Sequence, residues 1–432
     1  MRTLLTLALT FAMTAFATAN ADGHAHDIDC ITDEQATITY VGDPIGNLAD
    51  TERETIAAFE EACPNITVER IDGPASTSDL LSNYLTMFEA QSGDIDVMRV
   101  DVIQPGILKD NLLDLMPFFS QEELDAHFPG YITNNMVGDE MVAIAFRLGA
   151  GMLYVRTDLV EAYGFDGPPA TWDELETMAT TIQEGERAEG NDDFWGFVFQ
   201  GNNYEGLTCN ALEWQISNGG GVIVNPDGEI EVNNEPTADV LSQVASWVGT
   251  IAPPGVVGYA EEDARGVWHA GNAAFMRNWP YAYSTTLESE AIDGNFEVVA
   301  LPAGDSGSYA ATMGGWSVGV NQYSEHPEAA AAFAKHFASF QEQKRRAINN
   351  AINPTIADLY RDADVIEAVP FFDGLDAVFQ GAAPRPSTVT GEKYNEVSTL
   401  YSTAVHQVLT GQEDAETALT LLEFELEELL AN

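Results

Sequence analysis

Ala36-Thr37-Ile38-Thr39-Tyr40-Val41-Gly42 alternates apolar and polar side chains at the period of a half-buried strand. After it, residues 51–63 read as an amphipathic helix and 66–70 as a second strand. Residues 78–91 then read as a second helix and 95–101 as a third strand. Strand and helix taking turns in this way build a parallel sheet with helices on its faces. The expected fold class is therefore α/β.

The rest of the chain repeats the pattern. Residues 141–146 and 151–156 are strand-like and separated by Arg147-Leu148-Gly149-Ala150. Thr171-Trp172-Asp173-Glu174 is a capping box opening a helix to about residue 186. A strand at 195–200 and a helix at 207–218 follow, the helix stopped by Gly219-Gly220-Gly221. Asn225-Pro226-Asp227-Gly228 is a turn before a strand at 229–233. Helices are expected near 237–249 and 261–270, strands at 296–301 and 316–321, and a helix at 326–340. From residue 341 the chain is mainly helical. No repeat of 20–50 residues stands out. The chain has 432 residues, more than a single core of about 250–300 residues sustains, and two α/β lobes are expected.

Composition narrows the function. Asp and Glu number 69 against 17 Lys and Arg, a formal charge of −52, and only four of the cations are lysines. A nucleic-acid partner demands clustered cations, so that class is excluded, as is an anionic membrane surface. An acidic exterior with scarce lysine fits a protein kept soluble in high salt. Arg2, an apolar run over residues 4–19 and the small residues Ala19-Asn20-Ala21 have the order of a secretory signal cleaved after Ala21. The mature protein is expected to be exported to the periplasm, soluble and not inserted in the membrane. Three cysteines remain. Cys30 lies just before the first strand and Cys63 ends the first helix, which favours a Cys30–Cys63 disulfide; three buried thiols are the alternative.

The motifs for chemistry are weak. The seven histidines show no His-Glu-x-x-His spacing, and the His24/His26 pair reads as part of a flexible leader over residues 22–35. Residues 225–231 place oxygens alternately, as a calcium loop does. The glycine falls at the fourth position instead of the sixth, so a plain turn is the better reading. Gly304-Asp305-Ser306-Gly307 copies a serine-protease motif without the all-β context or a matching histidine. Sixty-nine acids supply many accidental carboxylate pairs, so a glycoside-hydrolysing pair stays open as an alternative. No catalytic residue, metal or cofactor is expected.

The distinctive feature is aromatic. Phe275-Met276-Arg277-Asn278-Trp279-Pro280-Tyr281-Ala282-Tyr283 gathers Trp and Tyr around a proline bend, and Thr312-Met313-Gly314-Gly315-Trp316 sets a second Trp beside glycines. An exposed indole next to reachable backbone amides suits a sugar ring, whose C–H face stacks while its hydroxyls find polar partners. Burial of both tryptophans in the core is the plain alternative.

At these residues the chain resembles the solute-binding proteins of ABC importers, extracellular solute-binding family 1. The branch it resembles within that family is the one binding trehalose, maltose and α-glucosides. Phe59-Glu60-Glu61-Ala62-Cys63-Pro64-Asn65-Ile66-Thr67-Val68, Asp96-Val97-Met98-Arg99-Val100-Asp101-Val102-Ile103 and Gly151-Met152-Leu153-Tyr154-Val155-Arg156-Thr157-Asp158-Leu159 carry the likeness together with the two Trp motifs. The resemblance implies a type II two-lobed binding-protein fold with ligand in the interlobe cleft. Residues 36–145 plus 302–339 would form the N-terminal lobe and 146–301 plus 340–432 the C-terminal lobe. Crossings are expected near 144–148, 299–302 and 340. The resemblance further implies capture of a disaccharide or α-glucoside, a glucosylated compatible solute included, by a monomer that hands it to a membrane permease. Trp279 and Trp316 would stack on sugar rings. Tyr281, Asp101, the Gly315 backbone and Arg385 would supply hydrogen bonds.

The chain also departs from the family. Arg147-Leu148-Gly149 stands where the family carries Tyr-x-Asp, the Arg of the family's second helix is replaced around Leu80, and the early acidic position falls around residues 43–48, which makes Asp43 a candidate. These changes count against trehalose and maltose themselves and leave further readings: a glycoside with a different, acidic aglycone recognised by Arg147, a non-sugar or acidic solute, or an Arg147 that pairs with a nearby acid.

Overall fold

The computed structural model describes residues 30–431 except 45, 305, 306, 374 and 381. The signal segment 1–21, His24, His26 and the Asp305-Ser306 pair lie outside the described residues, as does most of the 22–35 leader.

Two sheets organise the chain. The first runs in the order Ile66–Asp72, Ala36–Gly42, Val97–Asp101, Met313–Val320, Ile144–Ala150. Its first three strands are parallel, and the last two add antiparallel. Gly46–Ala62 and Thr77–Glu89 supply the helical connections that parallel neighbours require. The second sheet runs Phe296–Ala300, Met152–Arg156, Ala273–Asn278, Trp195–Val198, and only its last pair is parallel. The parallel expectation therefore holds for one edge of each sheet. Elsewhere it yields to chain segments that enter from the other sheet.

The passages between the sheets decide the geometry. Ile144–Ala150 belongs wholly to the first sheet and Met152–Arg156 to the second, so the chain crosses at Gly151. The crossing expected at 144–148 instead lies inside a strand. Arg147 and Gly149 interrupt the apolar run there, yet pairing with Met313–Val320 keeps it extended. A second passage spans residues 301–312, between Phe296–Ala300 and Met313–Val320. The strand expected at 229–233 forms a single bridge, Val224 to Ile230, with the Asn225 side chain accepting from the amides of Asp227 and Glu229.

Each sheet has its own core. Tyr40, Phe59, Phe333 and Phe337 pack on the first, with Ala329 to Ala332 of helix Pro327–Ala338 fully buried against it. Phe340–Asn350 then packs on Gly46–Ala62. Tyr401, Val405, Leu419, Leu422 and Leu426 of the C-terminal helices Tyr394–Leu409 and Ala415–Ala431 share a core with Trp214 and Trp247 beside the second sheet. Each fully buried Phe, Val or Leu side chain among these contributes about 1.5–3 kcal/mol of transfer free energy. Cys30 and Cys63 are joined by a disulfide, with Cα atoms 5.6 Å apart, fastening the entry to the first strand to the end of the first helix.

Candidate functional site between two sheets

A cavity of about 500 Å³ lies between the sheets, within the size range of small-molecule pockets. All eight residues singled out from sequence line it: Asp43, Asp101, Arg147, Trp279, Tyr281, Gly315, Trp316 and Arg385. Asp43 and Trp279 follow strands, Asp101 ends one, Arg147, Gly315 and Trp316 lie within strands of the first sheet, and Arg385 comes from the segment before the C-terminal helices.

The two indoles are built alike. Trp316 sits where the pairing of Met313–Val320 with Ile144–Ala150 slips between Trp316 and Ser317; such a bulge re-aims a side chain. The fully buried Arg99 guanidinium lies 4.1 Å from the Trp316 ring centre and pairs with Asp43 at 2.6 Å. Trp279 follows strand Ala273–Asn278, which Pro280 prevents from continuing. The Arg277 guanidinium lies 4.0 Å from its ring centre and is held by Glu213, Nε to Oε2 2.9 Å. A cation over an aromatic face is attracted to it, so each half-buried indole is fixed between a buried arginine and the cavity.

Glycines make room for this arrangement. A Cβ on Gly314 would stand 2.8 Å from the Trp279 ring. Gly315 has φ of +137°, and a Cβ there would stand 2.6 Å from the Arg147 carbonyl. The buried Tyr131 hydroxyl donates to the Gly314 carbonyl at 2.9 Å and holds this backbone in place.

Polar groups ring the indoles. Trp279 Nε1 donates to Glu261 at 3.2 Å, the Tyr204 hydroxyl to Glu261 at 2.6 Å, and the Tyr281 hydroxyl to Glu262 at 2.6 Å. Arg385 is buried between its prolines and reaches Glu205 at 2.6 Å, Asp101 at 3.5 Å and the Met313 carbonyl at 3.2 Å. Burial pushes the Asp101 carboxyl above its ordinary range, while Arg385 pulls the other way. Arg147 pairs with Asp43 at 3.2 Å, so one carboxylate serves both Arg99 and Arg147. Cys209 also lines the cavity, but burial raises its thiol far above the range of a reactive thiolate. Among the described residues no cluster of His, Cys, Asp and Glu could hold a metal ion.

Sequence reasoning missed Tyr204, Glu205, Glu261 and Asn353, which also line the cavity. Three of these are ordinary acids or a tyrosine in a chain with 69 acidic residues, and nothing local distinguishes them.

Residues 45–344 match the family described as bacterial extracellular solute-binding protein. The chain belongs to that family. A probable ABC transporter-binding protein of Deinococcus radiodurans is 47% identical over 391 residues, covering 90% of this chain and 93% of the relative. Among solved structures, maltose-bound T. maritima MalE3 is 37% identical with a TM-score of 0.87, covering 91% of this chain and all of the other. The GacH receptor of Streptomyces glaucescens, solved unliganded and with acarbose, shares the fold at 20% identity with a TM-score of 0.81. That match covers 92% of this chain and 99% of the receptor. This extracellular solute-binding protein thus serves an ABC importer and is not an enzyme, which removes the glycoside-hydrolysing alternative. No helix among the described residues is long and apolar enough to cross a membrane.

Proposed function

We propose that this solute-binding protein captures a sugar, a disaccharide or α-glucoside, in the cavity between its sheets. Two half-buried indoles on opposite sheets, each backed by a buried arginine, carry the reading. They offer flat apolar faces to ring C–H groups while Glu261, Tyr281, Asp101 and the Gly315 backbone meet hydroxyls. The maltose held by a 37% identical relative supports a sugar as ligand. The sheets with their helices act as the two lobes, the passages at Gly151 and 301–312 as hinges, and ligand stabilises the closed arrangement by touching both. The closed monomer delivers its sugar to the permease from the periplasm, after signal cleavage at Ala21.

Isothermal titration against neutral mono- and disaccharides tests this. One-to-one saturable binding is expected without release of cleaved sugar. Trp279→Ala or Trp316→Ala should weaken it by about tenfold to a hundredfold, the worth of a stacked aromatic face. Full affinity in both variants would refute the stacking role.

A further inference from the structure

The loop after helix Phe340–Asn350 carries a side chain that the fold itself does not use. Asn353 lines the cavity with 2% of its surface exposed, and among the described residues neither its Oδ1 nor its Nδ2 has a hydrogen-bond partner. A carboxamide left unpaired in a buried position destabilises the fold. The loop does not relax to relieve this, because both flanks are fixed. Ala351 turns the chain with φ of +53°, Leu148 N donates to the Asn353 carbonyl at 2.9 Å, and the Thr355 hydroxyl donates to the Ala145 carbonyl at 3.1 Å. Pro354 follows directly.

The unmet valences specify a ligand chemistry. A carboxamide presents two N–H donors and an acceptor oxygen. Neighbouring sugar hydroxyls both accept and donate, so they satisfy both ends. A carboxylate can only accept and leaves Oδ1 unpaired; an ammonium can only donate and leaves Nδ2 unpaired. The surrounding charge weighs separately against an anion. Every cavity arginine already faces a carboxylate: Arg99 and Arg147 share Asp43, and Arg385 lies between Glu205 and Asp101. Six carboxylates line the cavity against these three cations, so an anionic solute enters a net negative space.

We infer that Asn353 is a ligand-contact residue that selects an uncharged, hydroxyl-bearing group at the hinge side of the cavity. This rests on the proposed sugar reading and sets aside an acidic solute read by Arg147.

The test titrates wild type, Asn353→Leu and Asn353→Ala with maltose and two analogues of it. One analogue carries a carboxylate in place of a hydroxymethyl, the other an ammonium in place of a hydroxyl. Wild type should bind maltose at least about tenfold tighter than either charged analogue, the scale of one unpaired buried polar group. Asn353→Leu and Asn353→Ala should lose about tenfold on maltose and most of the discrimination, with a melting temperature equal to or above wild type. Unchanged maltose affinity in both variants, or a wild type preferring a charged analogue, overturns the inference. A wild type that binds none of the three, and none of the neutral mono- and disaccharides titrated above, overturns the sugar reading itself, and the inference with it.

Discussion

Only 13 of 432 residues are arginine, and their placement explains the site better than the acids do. Arg99 and Arg277 stand behind the two indoles, and Arg385 joins acids from both sides of the cavity. The Trp and Gly motifs were legible because indole, proline and paired glycine are unusual in a row. The backing cations were not. Arg99 meets Trp316 only through the pairing of Val97–Asp101 with Met313–Val320, and Asn353 owes its isolation to a fixed loop. One buried histidine gives a pH test. His127 Nδ1 lies 2.7 Å from the Thr355 hydroxyl, and burial lowers its pKa to about 4 against a weaker opposing pull from Glu123. The folded state therefore favours the neutral ring. Its contribution is present above the unfolded value of about 6.5 and is lost as pH falls toward 4. Unfolding midpoints of wild type and His127→Gln should converge between pH 7 and pH 4; a constant gap would contradict the assignment.

Helix Glu205–Ser217 shows what an element adds. It is buried almost all round, and Glu213 near its end is tied to Arg277, to Gln200 through that arginine, and to the Thr312 amide at 3.1 Å. A Cβ on Gly151 would run into the same Glu213 carboxylate. This ion pair thus abuts both passages between the sheets and supports Trp279 from behind. Glu213→Leu leaves Arg277 buried without its partner, which should cost about 3–5 kcal/mol in denaturant unfolding. The double variant with Arg277→Leu should regain much of that, and a single-variant cost below about 1 kcal/mol would show that the pair does not hold the hinge. Strand and helix periods were readable along the chain, but strand direction was not. The antiparallel pairs arise where the chain passes between sheets, a property of distant partners that no local window contains.

The charge of −52 is carried mostly by acids outside the cavity. Self-repulsion among exposed carboxylates falls as the screening length shrinks from about 10 Å at 0.1 M salt to about 3 Å at 1 M. The melting temperature should therefore rise as KCl is increased from 0.1 to 1 M, and a flat or falling curve would contradict a salt-adapted exterior. The same excess of acids sets off the few polar groups that matter between the sheets. A crystal structure of the protein grown with maltose shows directly what the two indoles hold. Sugar rings should lie against the cavity faces of Trp279 and Trp316, with hydroxyls on Glu261, Asp101 and the Asn353 carboxamide. Maltose bound elsewhere, or both indoles left bare with the sugar in place, would contradict the account.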